Sequence, residues 1–279
     1  MSPTPASSPQ LPVIAFIGGG NMASAIIGGL IRQGHLVRQI EVVEPWDEAR
    51  IALRKNFGIE ALPAPGPALA RAGIVVWAVK PQTFKEAAAQ ARAHTQGALH
   101  LSVAAGIRSD SIAQWLGSEC IVRTMPNTPA LVGKGMSALY ARSGVSAEQC
   151  QSVEAIMATT GEFLWVESEK QLDAVTALSG SGPAYVFYFL EAMARAGTAM
   201  GLPPAQAHQL AVGTFVGASE LARRSDEPPE VLRQRVTSKG GTTYAALQSL
   251  EKDGVGASFE RAMHAAEQRA HELGNEFGS

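Results

Sequence analysis

Residues 236–247 read VTSKGGTTYAAL, a glycine pair followed by two threonines at the start of an apolar, helix-spaced run. Gly240 and Gly241 permit a tight turn in which successive N–H groups point one way. Thr242 and Thr243 stand where the helix would begin, among its unpaired amides and at the positive end of its dipole. Such a terminus seats a small anion, for example a carboxylate.

A second glycine loop lies at the other end of the chain. Gly18-Gly19-Gly20-Asn21-Met22-Ala23 has the pattern G-x-G-x-x-A, after an apolar run and before a helical one. In that context the pattern fits a dinucleotide. Gly18 allows the turn, Gly20 lets backbone approach a diphosphate, and Ala23 keeps helix and strand close. Asn21 and Met22 supply the first helical amides. Glu44 follows at the end of the next apolar run. An acid there accepts from both ribose hydroxyls and favours NAD, although Arg50 and Arg54 nearby could pair with a 2′-phosphate instead. Ala78-Val79-Lys80-Pro81 ends a third run, where folds of this kind bind ligands, and Lys80 could meet a phosphate or a ribose.

The elements that must hold these loops alternate. Strands are expected at 13–19, 40–45, 73–81, 98–106 and 120–126, with helices at 21–34, 47–58, 84–94 and 111–117. Continuous apolar strands joined by helices imply a doubly wound parallel sheet with right-handed crossovers. Two further strands, 136–142 and 162–168, flank a helix at 147–159. From about Lys170 the pattern is helix after helix. The expected organisation is a disordered tail at 1–10, a Rossmann-type dinucleotide-binding domain at 11–168 and an all-α domain at 169–279.

Composition agrees with a folded enzyme of small molecules. The chain has 279 residues, 46% hydrophobic and 17% charged, enough for two cores. The net charge of −2 gives no attraction to nucleic acid or to an anionic membrane. Cys120 and Cys150 form neither a metal motif nor a disulfide framework, which suits a reducing compartment. The Pro- and Ser-rich start lacks the basic and apolar parts of a signal peptide, and a cytoplasmic protein is expected. The six histidines are scattered, so none is assigned to catalysis or to a metal.

The segments IAFIGGGNMASAIIGGL, WAVKPQ, SVAAGI, RTMPNTPALVGKGMSALY, DAVTALSGSGPAYVFYFLEAMARAG and VTSKGGTTYAALQSLEKDG together resemble the pyrroline-5-carboxylate reductases. They keep that family's order over nearly the whole chain after residue 11. The resemblance implies reduction of 1-pyrroline-5-carboxylate to L-proline, the last step of proline biosynthesis, with NADPH or NADH. It also implies a homodimer or higher homo-oligomer joined through the C-terminal helices.

Residue by residue, the resemblance puts the substrate carboxylate on the backbone amides of Gly240, Gly241 and Thr242. It puts the Thr243 hydroxyl on the ring nitrogen, as the catalytic contact. Val236 and Ser238 would shape that pocket, and Glu169 would lie near the substrate ring. Val103, Ala104 and Ala105 would run beside the nicotinamide, and Asn127 would face the coenzyme. Two positions depart from the family: Lys239 stands where proline is usual, and Glu44 replaces a Ser- or Thr-rich turn that seats a 2′-phosphate.

Two other readings compete. A beta-hydroxyacid-dehydrogenase-like oxidoreductase would place a catalytic lysine on the first long helix of the second domain, but 181–200 contains none. A non-catalytic NAD(P)-sensing regulator would have no need of the 240–243 loop.

Overall fold

In the computed structural model, which describes residues 12–278, the apolar runs become strands and the helix-spaced runs lie between them. The chain passes through β1 (Ile14–Ile17), α1 (Asn21–Arg32), β2 (Ile40–Val43), α2 (Asp47–Phe57), β3 (Ile74–Trp77), α3 (Pro81–Ala91), β4 (Leu99–Ser102), α4 (Ser109–Leu116) and β5 (Ile121–Met125). β6 (Gly135–Ala141), α5 (Ala147–Met157) and β7 (Gly161–Trp165) follow. The expected tail at 1–10 lies outside the described residues.

The strands form one sheet in the order β2-β1-β3-β4-β5-β6-β7. β1 to β5 run parallel, as expected. β6 is antiparallel to β5 and parallel to β7. A short link without an α-helix joins β5 to β6, which allows reversal, whereas α5 provides the crossover that a parallel β6–β7 pair needs.

Both faces of β1, β3, β4 and most of β5 are buried, and successive residues of β1 serve opposite sides. Ile14 and Phe16 pack with Ile26, Ile27 and Val153 beneath α1 and α5. Ala15 and Ile17 pack with Trp77, Phe84 and Ile112 beneath α3 and α4. Pro81 both ends the third apolar run and opens α3, since proline is well suited to the first helical turn.

After β7 come α6 (Gln171–Val175) and a π-helical turn at Thr176–Gly180. The boundary expected near 168 falls just beyond the last strand, but the first compact unit runs on to Ser181 and regains the chain from 266. The physical reason is packing: Leu172 and Ala177 are buried there, and Phe277 packs into the core beneath α3 and α4. The second unit, Gly182–Ala265, is entirely helical. It holds α7 (Gly182–Ala199), α8 (Pro204–Arg224), α9 (Pro229–Arg235), α10 (Thr242–Lys252) and the start of α11 (Val255–Phe277). Within it Tyr185 and Phe189 meet the Phe259 ring edge-on, at 5.4 and 5.7 Å between centroids. A Cβ on Gly197 would lie 3.0 Å from that of Ala207, so glycine there lets α7 and α8 approach closely.

Candidate functional site

The coenzyme cradle is built where β1 parts its two neighbours, β2 on one side and β3 on the other. Such a switch point leaves a crevice beyond the carboxyl ends of the strands. Gly18 has φ +94°, and a Cβ there would lie 2.6 Å from the Ala78 carbonyl oxygen. The turn after β1 therefore rests directly on the turn after β3. Backbone bonds join these ends: Gly18 N–H donates to Val43 O at 2.8 Å, Ala78 N–H to Ile17 O at 2.8 Å, and Val103 N–H to Trp77 O at 3.1 Å.

Gly20 caps α1 in an extended conformation, and no side chain caps the helix. A Cβ on Gly20 would meet nothing within 4 Å. Open space beside a helix N-terminus is the cradle a diphosphate requires. The amides of Asn21 and Met22 open the helix there, while Ala23 is wholly buried. At the far side of α1, a Cβ on Gly29 would lie 2.5 Å from Thr159 Oγ1, so α1 seats tightly on the end of α5.

Glu44, directly after β2, is only 6% exposed. Its Oε2 accepts from Gly19 N–H at 2.7 Å and its Oε1 from Trp46 N–H at 2.9 Å. The acid expected to meet the ribose thus also holds the glycine loop in place. Lys80 is exposed and caps α3, its carbonyl accepting from the Thr83 N–H and hydroxyl. Val103 and Ala105 are partly exposed beyond β4, and Ala104 is buried with its N–H on Ser102 Oγ at 3.3 Å.

The second-unit loop has the geometry its glycines suggest. Gly240 has φ +75°, and Gly241 caps α10 with no side-chain cap, so the first amides of α10 are open. Gly241 N–H donates to Ser238 O at 3.0 Å, and a Cβ on Gly241 would lie 2.6 Å from Ser238 Oγ. Val236, Ser238, Lys239, Thr242 and Thr243 are exposed. Among the described residues the Thr243 hydroxyl has no hydrogen-bond partner.

Comparisons with known proteins agree with both halves. Residues 13–106 match the family model described as NADP oxidoreductase coenzyme F420-dependent. Residues 169–273 match the one described as pyrroline-5-carboxylate reductase dimerisation. The pyrroline-5-carboxylate reductase of Pseudomonas aeruginosa is 45% identical over 269 residues, covering 96% of this chain and 98% of that one. The chain belongs to the pyrroline-5-carboxylate reductase family. Its fold is that of the Coxiella burnetii pyrroline-5-carboxylate reductase, with a TM-score of 0.87 at 37% identity, covering 94% of this chain and 98% of the other. The Plasmodium falciparum pyrroline carboxylate reductase, solved with NADP bound, gives 0.86 at 28% identity and covers 95% and 99%. The chain is accordingly an NAD(P)H-dependent oxidoreductase. The dehydrogenase-like and regulator readings are not favoured, since the relatives match through both glycine loops.

Two residues that the family resemblance drew towards the ligands are engaged within the first unit. Both oxygens of Glu169 are taken: Oε1 by Ser109 N–H and Arg123 Nη1, Oε2 by the Ser109 hydroxyl, each at 2.6 Å. That carboxylate clamps α4 and β5 together. Asn127 donates from Nδ2 to Ser179 O at 3.1 Å and accepts from Met136 N–H at 2.9 Å. Its side chain braces the π turn against the start of β6. The signal for the first clamp was present in CIVRTMP: a cation in a strand buried on both faces requires an anionic partner. Nothing in the sequence pattern marks the π turn.

Proposed function

We infer that this chain reduces 1-pyrroline-5-carboxylate to L-proline with NADPH or NADH. The observation that carries the reading is the uncapped start of α10, with Gly240 and Gly241 before it and a free Thr243 hydroxyl in its first turn. The amides of Gly240, Gly241 and Thr242 hold the substrate carboxylate, and the helix dipole favours its charge. Val236 and Ser238 shape the loop, and Ser238 packs against Gly241. Lys239, exposed beside it, draws in the anion.

Thr243 accepts or donates a hydrogen bond at the ring nitrogen and orients the C=N bond. A cyclic imine is basic enough to bind as its protonated iminium, so no side chain need deliver a proton as hydride reaches carbon. A nicotinamide coenzyme supplies that hydride. Gly18, Gly19, Gly20, Asn21 and Met22 hold its diphosphate, and Glu44 holds its adenosine ribose. Ala78 to Pro81 and Val103 to Ala105 line the cradle, and Lys80 offers a charge to phosphate or ribose. The protein's contribution is orientation and electrostatics.

The chain works as a homodimer or larger assembly through its C-terminal helices. Supporting this, Phe187, Tyr188, Leu210, Val216 and Leu221 on α7 and α8 are all more than half exposed. Large apolar side chains exposed in such number on two helices are normally covered by a partner. The cytoplasm is the proposed compartment, consistent with Cys120 and Cys150 both remaining free. Among the described residues, no helix is long and apolar enough to cross a membrane. A net charge of −2 offers nucleic acid no attraction.

The direct test is coenzyme oxidation followed at initial rate with pyrroline-5-carboxylate. Turnover that depends on substrate, with proline as product, is expected; absence of turnover with either coenzyme overturns the reading. A light-scattering mass of one chain would refute the assembly.

A further inference from the structure

We propose that this chain prefers NADH to NADPH, and that Glu44 sets the preference by fixing a carboxylate where a 2′-phosphate would have to sit. The inference rests on the reductase reading above and adds which coenzyme that site takes.

The side chain that ends β2 faces the adenosine ribose in folds of this kind. Glu44 occupies that position and is not free to swing away. Its two oxygens are each bonded to a backbone N–H, those of Gly19 and Trp46, and its side chain is buried. Each oxygen still has a lone pair for a ribose hydroxyl, and a carboxylate accepts but does not donate. It therefore suits a 2′-hydroxyl and opposes a 2′-phosphate, which brings negative charge and no donor. A serine or threonine in its place could donate to a phosphate and would bring no opposing charge.

The two arginines of α2 that could reverse this outcome, Arg50 and Arg54, are already engaged. Arg50 donates to the carbonyl oxygens of Glu44 and Pro45, at 2.8 and 2.7 Å, and pairs with the Asp47 carboxylate. Arg54 pairs with Glu60 at 2.9 Å. The first turn of α2 adds two acids, Asp47 and Glu48. Releasing either arginine to a phosphate would break an existing ion pair in the same place.

The test compares NADH and NADPH on the whole protein in two ways. Without substrate, their dissociation constants are measured by coenzyme fluorescence, alongside the thermal shifts given by 5′-AMP and adenosine 2′,5′-bisphosphate. With substrate, kcat/KM is measured for each coenzyme. NADH is expected to bind at least tenfold more tightly and to carry the higher kcat/KM, and 5′-AMP to stabilise more than the bisphosphate. Glu44→Gln keeps the size of the side chain and an acceptor for the glycine loop while removing charge. It should bring the NADH:NADPH ratio down about tenfold, mainly by tightening NADPH. Equal or tighter binding of NADPH to the unaltered protein overturns the proposal, as does an unchanged ratio in a folded Glu44→Gln variant. Should that variant unfold, the ratio in the unaltered protein and the two adenosine nucleotides still decide. If neither coenzyme reduces pyrroline-5-carboxylate, the reductase reading fails, yet the binding comparison still answers which coenzyme the site prefers.

Discussion

Arg123 and Glu169 form a largely buried ion pair, Nη1 to Oε1 at 2.6 Å, and the same carboxylate takes both donors of Ser109. Removing one partner strands the other charge in the interior. Glu169→Ala should lower unfolding free energy by about 2–4 kcal/mol, read by denaturant titration. Because the carboxylate is engaged by protein groups, KM for pyrroline-5-carboxylate should change little in the folded variant. A large rise in KM with unchanged stability would place Glu169 at the substrate ring, as the family resemblance implies.

His100 is buried in β4, and its Nδ1 accepts the Trp77 indole N–H at 3.1 Å. Burial lowers its pKa from 6.5 to about 4, and a protonated Nδ1 could not accept that bond. Above pH 6.5 both folded and unfolded chains hold it neutral, and its contribution to stability is complete. Between about 6.5 and 4 only the unfolded chain takes up the proton. Stability should then fall as pH drops, by up to about 1.4 kcal/mol per pH unit from this group. Denaturation midpoints at pH 7 and pH 5 should therefore differ more in the unaltered chain than in His100→Gln. Equal differences would mean that another group carries the effect.

Thr243→Ala removes one hydroxyl from the first turn of α10. A loss of about 10–100-fold in kcat/KM is expected, the equivalent of one or two hydrogen bonds. Unchanged kinetics would take the ring nitrogen elsewhere. Gly241→Val should be worse, since its Cβ would run into Ser238 Oγ and distort the amide socket. Normal proline binding by that variant would move the carboxylate to another site.

Gly18 and Gly20 should respond differently to the same added methyl group. Gly18→Ala forces a Cβ against the Ala78 carbonyl at a positive φ and should cost about 1–3 kcal/mol in stability. Gly20→Ala meets no protein atom, so the thermal midpoint should hold while the NADH dissociation constant rises. A Gly20→Ala protein that binds coenzyme normally would show that the diphosphate does not use this opening.

What could be read from the sequence was whatever backbone chemistry dictates. The first glycine loop and the 240–243 loop were legible because few residues but glycine permit those turns. β1 to β5 were legible because strands buried on both faces leave unbroken apolar runs. The reversal of β6 was not, since an apolar pattern carries no strand direction. Arg123 and Glu169 are separated by the whole of β6, α5 and β7, so their pairing emerges only in three dimensions. Glu44 was read as a partner of the ribose, but its bond to Gly19 depends on how β2 lies beside β1. The interior place of His100 was also hidden, because one polar residue in a short apolar run does not say which way it faces.

The last turns of α11 belong to the first unit. Arg108 binds Asn275 at 2.6 Å, Ser111 donates to the Gly278 carbonyl at 2.8 Å, and Leu273 packs over Gly106. During synthesis most of the nucleotide-binding unit is made before the helical unit, yet residues 266–278, which complete its packing, are made after it. It must therefore wait, incomplete, through translation of the whole helical half. At about 5–20 residues per second that delay lasts on the order of ten seconds. A stop codon or frameshift between residues 182 and 265 would accordingly damage the unit encoded before it as well as the one it interrupts.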